Sequence, residues 1–350
     1  MAIELAKPQL LLRQLFDHDT YTYTYLLVDP QTRQGAIIDA VKEQFERDLE
    51  LIRELGVELL YAIETHAHAD HITSAGMLRQ NTGAKIVFGE AAGIQEIDLA
   101  VKDGDELPLG RFSIRVLATP GHTSGCTSYY VDGMVFTGDC LLIHGCGRTD
   151  FQQGDAKTLY ENVTGKLFTL PEQTIVYPGH DYKGRTSSTI GEEKRWNPRL
   201  GGGQTAIEFV RIMSDLNLDM PKKINEAVPA NVAVGRDYNP RQYVHEDFTM
   251  DDLHQAWQHL GKNELIIDNR TPEEYAEGHV PGSINLPFGE ETRHVDTIRK
   301  YARAYIYCRS GRRAQTALTN LAVAGVDNVI CVSHTGMPDW VKAGYRVEKK

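Results

Sequence analysis

Short apolar runs bounded by turn residues recur through the first half of the chain. Residues 23–28, 35–39, 59–63 and 85–88 have strand length and are rich in Val, Ile, Leu and Tyr. Between the second and third of these, residues 44–55 carry Phe45, Leu49, Ile52 and Leu55 three or four positions apart and are followed by Gly56, which predicts an amphipathic helix and its stop. Strand and helix alternate, so the class is α/β or α+β. Past Lys102 the pattern turns hairpin-like: runs at 112–117, 128–131 and 134–137, the last two separated by Asp132-Gly133, a favoured two-residue turn. Two sheets account for these runs most economically.

Residues 197–247 are rich in Pro, Gly and Asn, with a helix predicted over 206–216 and an extended stretch over 227–231, which together suggest a domain end and a linker. A second pattern follows: helix 250–260, strand 264–268, helix from Pro272, strand 304–307, helix from Arg312, strand 329–332. Such alternation predicts a parallel sheet with helices on both faces. At 350 residues the chain has room for two cores, and the expected domains are 1–240 and 248–350.

Composition narrows the function classes. With 37 Lys+Arg against 48 Asp+Glu the net charge is −11, which argues against nucleic acid or an anionic membrane as a partner through the global field. Hydrophobic residues at 41% and charged residues at 24% suit a globular enzyme and exclude disordered, collagenous and coiled-coil chains. The N-terminal residues lack a basic start and a long apolar core, no run approaches a membrane span, and a cytoplasmic protein is expected. Five Cys, odd in number and dispersed, fit free thiols better than a disulfide framework. A homo-oligomer is compatible with all of this.

The strand at 59–63 runs directly into Glu64-Thr65-His66-Ala67-His68-Ala69-Asp70-His71. Three imidazoles and a carboxylate within six positions serve no structural purpose and are the usual donors for zinc or iron. His122 in Thr119-Pro120-Gly121-His122, Asp139 in Thr137-Gly138-Asp139 and His180 in Pro178-Gly179-His180 likewise follow short apolar runs, on loops that a sheet can hold together. Spacing alone allows one metal or two.

This set resembles the metallo-β-lactamase superfamily over roughly residues 10–235, which implies an αββα sandwich. Within it, His144-Gly145-Cys146-Gly147-Arg148-Thr149-Asp150-Phe151-Gln152-Gln153-Gly154, with Pro178-Gly179-His180-Asp181-Tyr182 and Asn197-Pro198-Arg199, is similar to the persulfide dioxygenases. The resemblance implies one Fe(II) per chain, with His66, His122 and Asp139 as ligands and positions left open for O2 and a substrate sulfur. It makes His68, Asp70, His71 and His180 groups that orient ligands, whereas a hydrolytic relative would use them for a second metal. Arg148 is expected to bind a substrate carboxylate or hold its loop. Tyr182, Lys183 and Arg185 are further candidates for substrate binding, against a reading of Lys183 and Arg185 as solvated charge. Cys126, Cys140 and Cys146 read as inert thiols.

In the second pattern, the strand 304–307 is followed by Cys308-Arg309-Ser310-Gly311-Arg312-Arg313 and then by a predicted helix. A Cys between a strand and a helix start, beside three Arg, favours thiolate and forms an anion pocket. Residues 265–287 together with this loop resemble the rhodanese domain, over about 248–350. The resemblance implies a sulfane sulfur carried on Cys308 in a cradle of Arg309, Ser310, Gly311, Arg312 and Arg313, the six-residue loop suiting sulfur rather than phosphate. Thr335 departs from the family's double glycine near Gly336-Met337. The two halves share the persulfide group. They imply a fusion that oxidises glutathione persulfide with O2 to sulfite and glutathione, and moves sulfane sulfur between thiosulfate or sulfite and glutathione. The alternative is a two-zinc thioester hydrolase of the glyoxalase II kind, fused to a sulfur-relay module.

Overall fold

The structure, a computed structural model, describes residues 9–94, 96–150, 153–216, 227–228, 230–231, 234, 248–324, 326 and 328–349. The chain divides into two compact units, Met1–Pro221 with Ala230–Arg236 and Lys222–Pro229 with Asp237–Lys350.

In the first unit, β1 (Leu11–Asp17), β2 (Thr22–Val28), β3 (Gln34–Ile38), β4 (Glu58–Ile63), β5 (Lys85–Gly89) and β6 (Leu99–Val101) form one sheet in that order. The other sheet contains β7 (Glu106–Leu109), β8 (Phe112–Ala118), β9 (Thr127–Val131), β10 (Met134–Gly138), β11 (Ile175–Pro178) and β12 (Ser188–Thr189), in the order β12-β11-β10-β9-β8-β7. Alternation along β2 shows why two layers of core form. Leu26 and Val28 pack with Phe45, Leu49 and Ile52 of the helix Phe45–Glu54 and with Leu78 of the helix Ala75–Thr82. Tyr25 and Leu27 face the other way, against Ile114, Val116, Tyr129 and Phe136 of the second sheet. The far face of that sheet, including Val135 and Val176, is covered by Leu159 and Val163 of the helix Ala156–Gly165 and by Phe209 and Met213 of the helix Ala206–Ser214. The layers run helix, sheet, sheet, helix, as expected. Each fully buried side chain of this size contributes about 1.5–3 kcal/mol.

The turn between β9 and β10 has Asp132 at φ 49° and Gly133 at φ 78°, the doubly left-handed geometry that suits a tight hairpin. At one end the two sheets are stitched together. The Tyr23 amide donates to the Gly179 carbonyl (2.8 Å), the Tyr25 hydroxyl to the Pro178 carbonyl (2.6 Å), and Thr22 bridges to His180.

In the second unit, β13 (Glu264–Asp268), β14 (Ile284–Asn285), β15 (Arg303–Tyr307) and β16 (Val329–Cys331) form an all-parallel sheet in the order β14-β13-β15-β16. Leu265, Ile267, Ala304 and Ile306 pack on Ala314, Ala317 and Leu321 of the helix Arg312–Val323. Ile266, Tyr305 and Tyr307 face Met250, Leu253, Met337 and Trp340 on the other side. Both faces are covered, as a parallel sheet requires.

Two sequence expectations differ from the structure. Ala227, Val228, Ala230 and Asn231 are helical rather than extended. The edge strands β1, β6 and β7 and the helices Ala75–Thr82, Ala156–Gly165, Ile190–Trp196 and Met337–Lys342 were not foreseen, being short or weakly periodic. Of the domain end and linker read over 197–247, residues 197–216 pack into the first unit through Leu200, Phe209 and Met213, while 217–226, 229, 232–233 and 235–247 lie outside the described residues, as do Phe151 and Gln152 of the family-like stretch. No helix among the described residues is long and apolar enough to cross a membrane.

Candidate functional site

His66 follows β4, His122 follows β8 and Asp139 follows β10, so three strand ends deliver one donor each to the same edge of the sandwich. Their ligand atoms lie within 4.8 Å of one another. Hydrogen bonds select which atoms point inward. His122 Nδ1 lies 2.6 Å from the Arg148 carbonyl, which can only accept, so Nδ1 carries the proton and Nε2 keeps its lone pair. The Thr65 hydroxyl donates to Asp39 Oδ2 (2.8 Å) and accepts from His66 Nδ1 (3.0 Å), which puts the lone pair of His66 on Nε2. Asp139 Oδ1 accepts from His180 Nδ1 at 2.7 Å, while Oδ2 lies 3.6 Å from His122 Nε2. Two neutral imidazoles and one carboxylate oxygen thus converge, a donor set that fits a divalent transition metal with open positions.

Electrostatics agree with that reading. Burial, with His68 and His122 nearby, holds His66 well below the usual imidazole range, in the form a metal needs. Burial alone would raise Asp139, but His180, His122 and His66 override it and keep the carboxylate ionised. His180 is raised well above its ordinary range because Asp139 and Asp70 outweigh its burial.

The remaining candidates engage one another. His180 Nε2 lies 3.0 Å from Asp70 Oδ2, which also meets His71 Nδ1 at 2.9 Å, and Thr22 Oγ1 sits 3.1 Å from the same carboxylate oxygen. His68 turns Nε2 to Asp39 Oδ1 (3.2 Å) and Glu64 Oε2 (3.3 Å), and these carboxylates push it up to about 10 against the effect of burial. His68 therefore groups with Asp70 and His71, and with Asp39 and Glu64, rather than with His66, His122 and Asp139. The contacts made by Thr22, Asp39, Glu64 and Thr65 escaped the sequence reading. Only Thr65, adjacent to His66, carried a local signal.

Close backbone approach shapes the pocket. A side chain at Gly147 would come within 2.6 Å of the Asp139 carbonyl and 2.7 Å of His122 Nδ1, and the Gly147 amide donates to that same carbonyl. Gly179 leaves room for Asp139 Oδ1. Around the mouth, the Tyr182 ring stacks on His180 (6.0 Å between centroids) and meets Tyr21 (5.4 Å). The Arg148 guanidinium forms a two-pronged pair with Asp150, at 2.6 Å for each prong. Arg185 binds Asp181 and the Ile143 carbonyl, and Lys183 is exposed. Cys126 is buried and its thiol is pushed far up, while Cys140 and Cys146 are pushed up to about 11, all chiefly by burial.

In the second unit Cys308 is buried between β15 and the helix Arg312–Val323. Its carbonyl accepts from the Met337 amide at 3.0 Å, so the loop is tied to the chain end that carries Gly336. Gly311 turns the loop at φ 84°, and a side chain there would strike the His334 amide. Arg309, Ser310 and Arg312 are exposed around the loop. Arg313 is held by Glu274 through two bonds of 2.7 and 2.9 Å, which lower the Glu274 carboxyl to about 2. Glu274, contributed by the helix Pro272–Glu277, was not foreseen as a partner of this loop.

The metallo-beta-lactamase superfamily matches residues 19–180 and the rhodanese-like domain matches residues 252–343. Persulfide dioxygenase ETHE1, mitochondrial, of Homo sapiens is 51% identical over 229 residues, covering 65% of this chain and 89% of that protein. The crystal structure of ETHE1 from Myxococcus xanthus superposes with a TM-score of 0.63 at 52% identity, covering 65% of this chain and all of that one. A metallo-beta-lactamase from Staphylococcus aureus subsp. aureus COL, 22% identical, shares the fold at a TM-score of 0.61 over 93% of this chain and 99% of its own. With His and Asp groups that could hold a metal gathered at one edge of the sandwich and a rhodanese domain at its C-terminal end, the chain belongs to the persulfide dioxygenase family.

Proposed function

We propose that residues 1–240 oxidise glutathione persulfide with O2, giving sulfite and glutathione, and that residues 248–350 transfer sulfane sulfur through Cys308. The observation that carries the first half is the selection of donors: each His presents Nε2 because its Nδ1 is committed elsewhere, and Asp139 presents one oxygen because His180 holds the other. His66, His122 and Asp139 would hold one Fe(II), whose redox chemistry joins O2 to the persulfide sulfur. His68, Asp70, His71 and His180 orient that set rather than bind a second metal. The balance is one O2 and one water per persulfide, yielding one thiol, one sulfite and its protons.

Within this reading Tyr182 flanks the substrate at the mouth and Lys183 offers an exposed cation to its carboxylates. Arg148 and Arg185, engaged by Asp150 and Asp181, act by holding the loops that carry the Arg148 carbonyl and His180. In the second half the Cys308 sulfur attacks the sulfane sulfur of thiosulfate and sulfite departs. The resulting persulfide then passes its outer sulfur to glutathione and the Cys308 thiol returns. The exposed Arg309 and Arg312 attract the anion, while Arg313, fixed by Glu274, keeps positive charge beside the sulfur. Glutathione persulfide made here is substrate for the first half.

The test is metal content together with O2 uptake on adding glutathione persulfide to protein purified with its native metal. Close to one iron per chain with persulfide-dependent uptake is expected. Two zincs per chain and no uptake would transfer the first half to thioester hydrolysis.

A further inference from the structure

Beneath the loop that carries the histidines lies a buried side chain from the far end of the first unit. Asn231 is 1% exposed and about 160 residues away in sequence, yet its amide nitrogen and its side-chain oxygen both bond to this loop. Its Nδ2 donates to the carbonyls of His68 and His71, both at 2.8 Å, and its Oδ1 accepts from the Thr73 amide at 2.7 Å. Three residues later the Gly76 amide donates to the Val234 carbonyl (3.0 Å), and Val234 is buried among Leu26, Leu49 and Leu78. The segment is therefore anchored in the core on one side and grips the loop on the other.

We infer that Asn231 is a positioning residue for the metal centre. A tight turn between two histidine-bearing positions leaves carbonyls pointing inward, where no strand or helix satisfies them, and each unpaired one costs about 1–3 kcal/mol. One primary amide offers two donors and an acceptor in a single plane, which closes both ends of the His68–His71 turn at once. That turn bears Asp70, which meets His180 Nε2 at 3.0 Å, and His180 in turn holds Asp139 Oδ1 at 2.7 Å. Thr73, fixed by the same side chain, directs its hydroxyl to Glu64, which faces His68. Loosening Asn231 thus reaches the carboxylate ligand through two intermediaries. The inference rests on His66, His122 and Asp139 being the ligand set.

The experiment compares full-length wild type, Asn231→Ala and Asn231→Ser. Iron(II) affinity is measured by chelator competition, and cobalt(II) absorption reports ligand geometry whichever metal is native. Asn231→Ala is expected to weaken iron binding 10–100-fold and to alter the cobalt spectrum. Asn231→Ser, which keeps one short donor, should fall between it and wild type. A purely structural role would lower the melting temperature while leaving affinity and spectrum of the folded chain at wild-type values, and that result overturns the inference. If Asn231→Ala does not fold, Asn231→Ser alone decides against wild type on the same two readouts. A wild-type chain that takes up neither metal would instead remove the ligand assignment itself.

Discussion

Replacing Thr65 by Val keeps the shape of the side chain and removes one oxygen. That oxygen donates to Asp39 Oδ2 at 2.8 Å and accepts from His66 Nδ1 at 3.0 Å, while the Thr65 amide keeps its separate bond to Asp39 Oδ1 at 2.7 Å. Losing a buried hydrogen bond to a charged acceptor costs about 1.5–3 kcal/mol of stability, and the His66 N–H left without a partner adds about 1–3 kcal/mol, partly recovered by relaxation. The larger consequence is for the metal. Without Thr65 the His66 ring is free to turn and to carry its proton on Nε2, the atom that must bind. Removing such an orienting partner typically weakens metal binding 10–100-fold, about 1.4–2.7 kcal/mol. The assay is chelator competition for iron(II) on the folded variant, with circular dichroism as the control for folding. Iron affinity within twofold of wild type in a folded Thr65→Val protein would refute the reasoning, because orientation of His66 would then come from elsewhere.

Gly147→Ala should abolish metal binding at low micromolar iron, since its methyl group would sit within 2.7 Å of both the Asp139 carbonyl and His122 Nδ1; metal content of the purified variant checks this. Cys308→Ser should eliminate thiosulfate:glutathione sulfur transfer and leave persulfide-dependent O2 uptake unchanged, measured side by side; retained transfer would remove Cys308 from the chemistry. Asp48 is fully buried with Oδ2 unpaired among the described residues, and burial raises its carboxyl to about 6 despite Arg47. The protonated form is therefore favoured in the fold, and the stability it confers is present below about pH 4 and lost as pH rises through 6. Asp48→Asn should accordingly stabilise the metal-free protein by up to about 3 kcal/mol at pH 8 and converge with wild type at pH 4, read as the pH dependence of the melting temperature. Glu274→Gln should raise the KM for thiosulfate several-fold with little change in melting temperature, because Arg313 loses its two-pronged anchor while both side chains stay partly exposed.

What could be read from the sequence divides along physical lines. His66, His122, Asp139 and His180 were legible because each follows an apolar run that ends in polar or glycine residues, and such a pattern is local. The Asp132-Gly133 turn and strand Glu264–Asp268 were legible for the same reason. Asp39, Glu64 and Asn231 were not, since an acid or amide at a strand or helix end looks like an ordinary cap until the fold buries it beside histidines. The pairing of Arg148 with Asp150 was hidden differently: a sequence states that charge is present, and only the folded loop states where the charge is spent. Edge strand β1 escaped because nearly all of its positions are only partly buried or exposed, so that no apolar face marks it, and β7 because its alternation lasts only four residues.

The stitching of Tyr23, Tyr25 and Thr22 onto Pro178, Gly179 and His180 joins the two sheets at the very place where the donors meet. Parting the sheets at that seam would pull His180 from Thr22 and Asp70, and would carry His66, at the end of β4 in the first sheet, away from His122 and Asp139 at strand ends of the second. Metal release and separation of the two layers are thus one event, and the loss of bound metal from this chain would serve as a built-in gauge of when its sandwich begins to open.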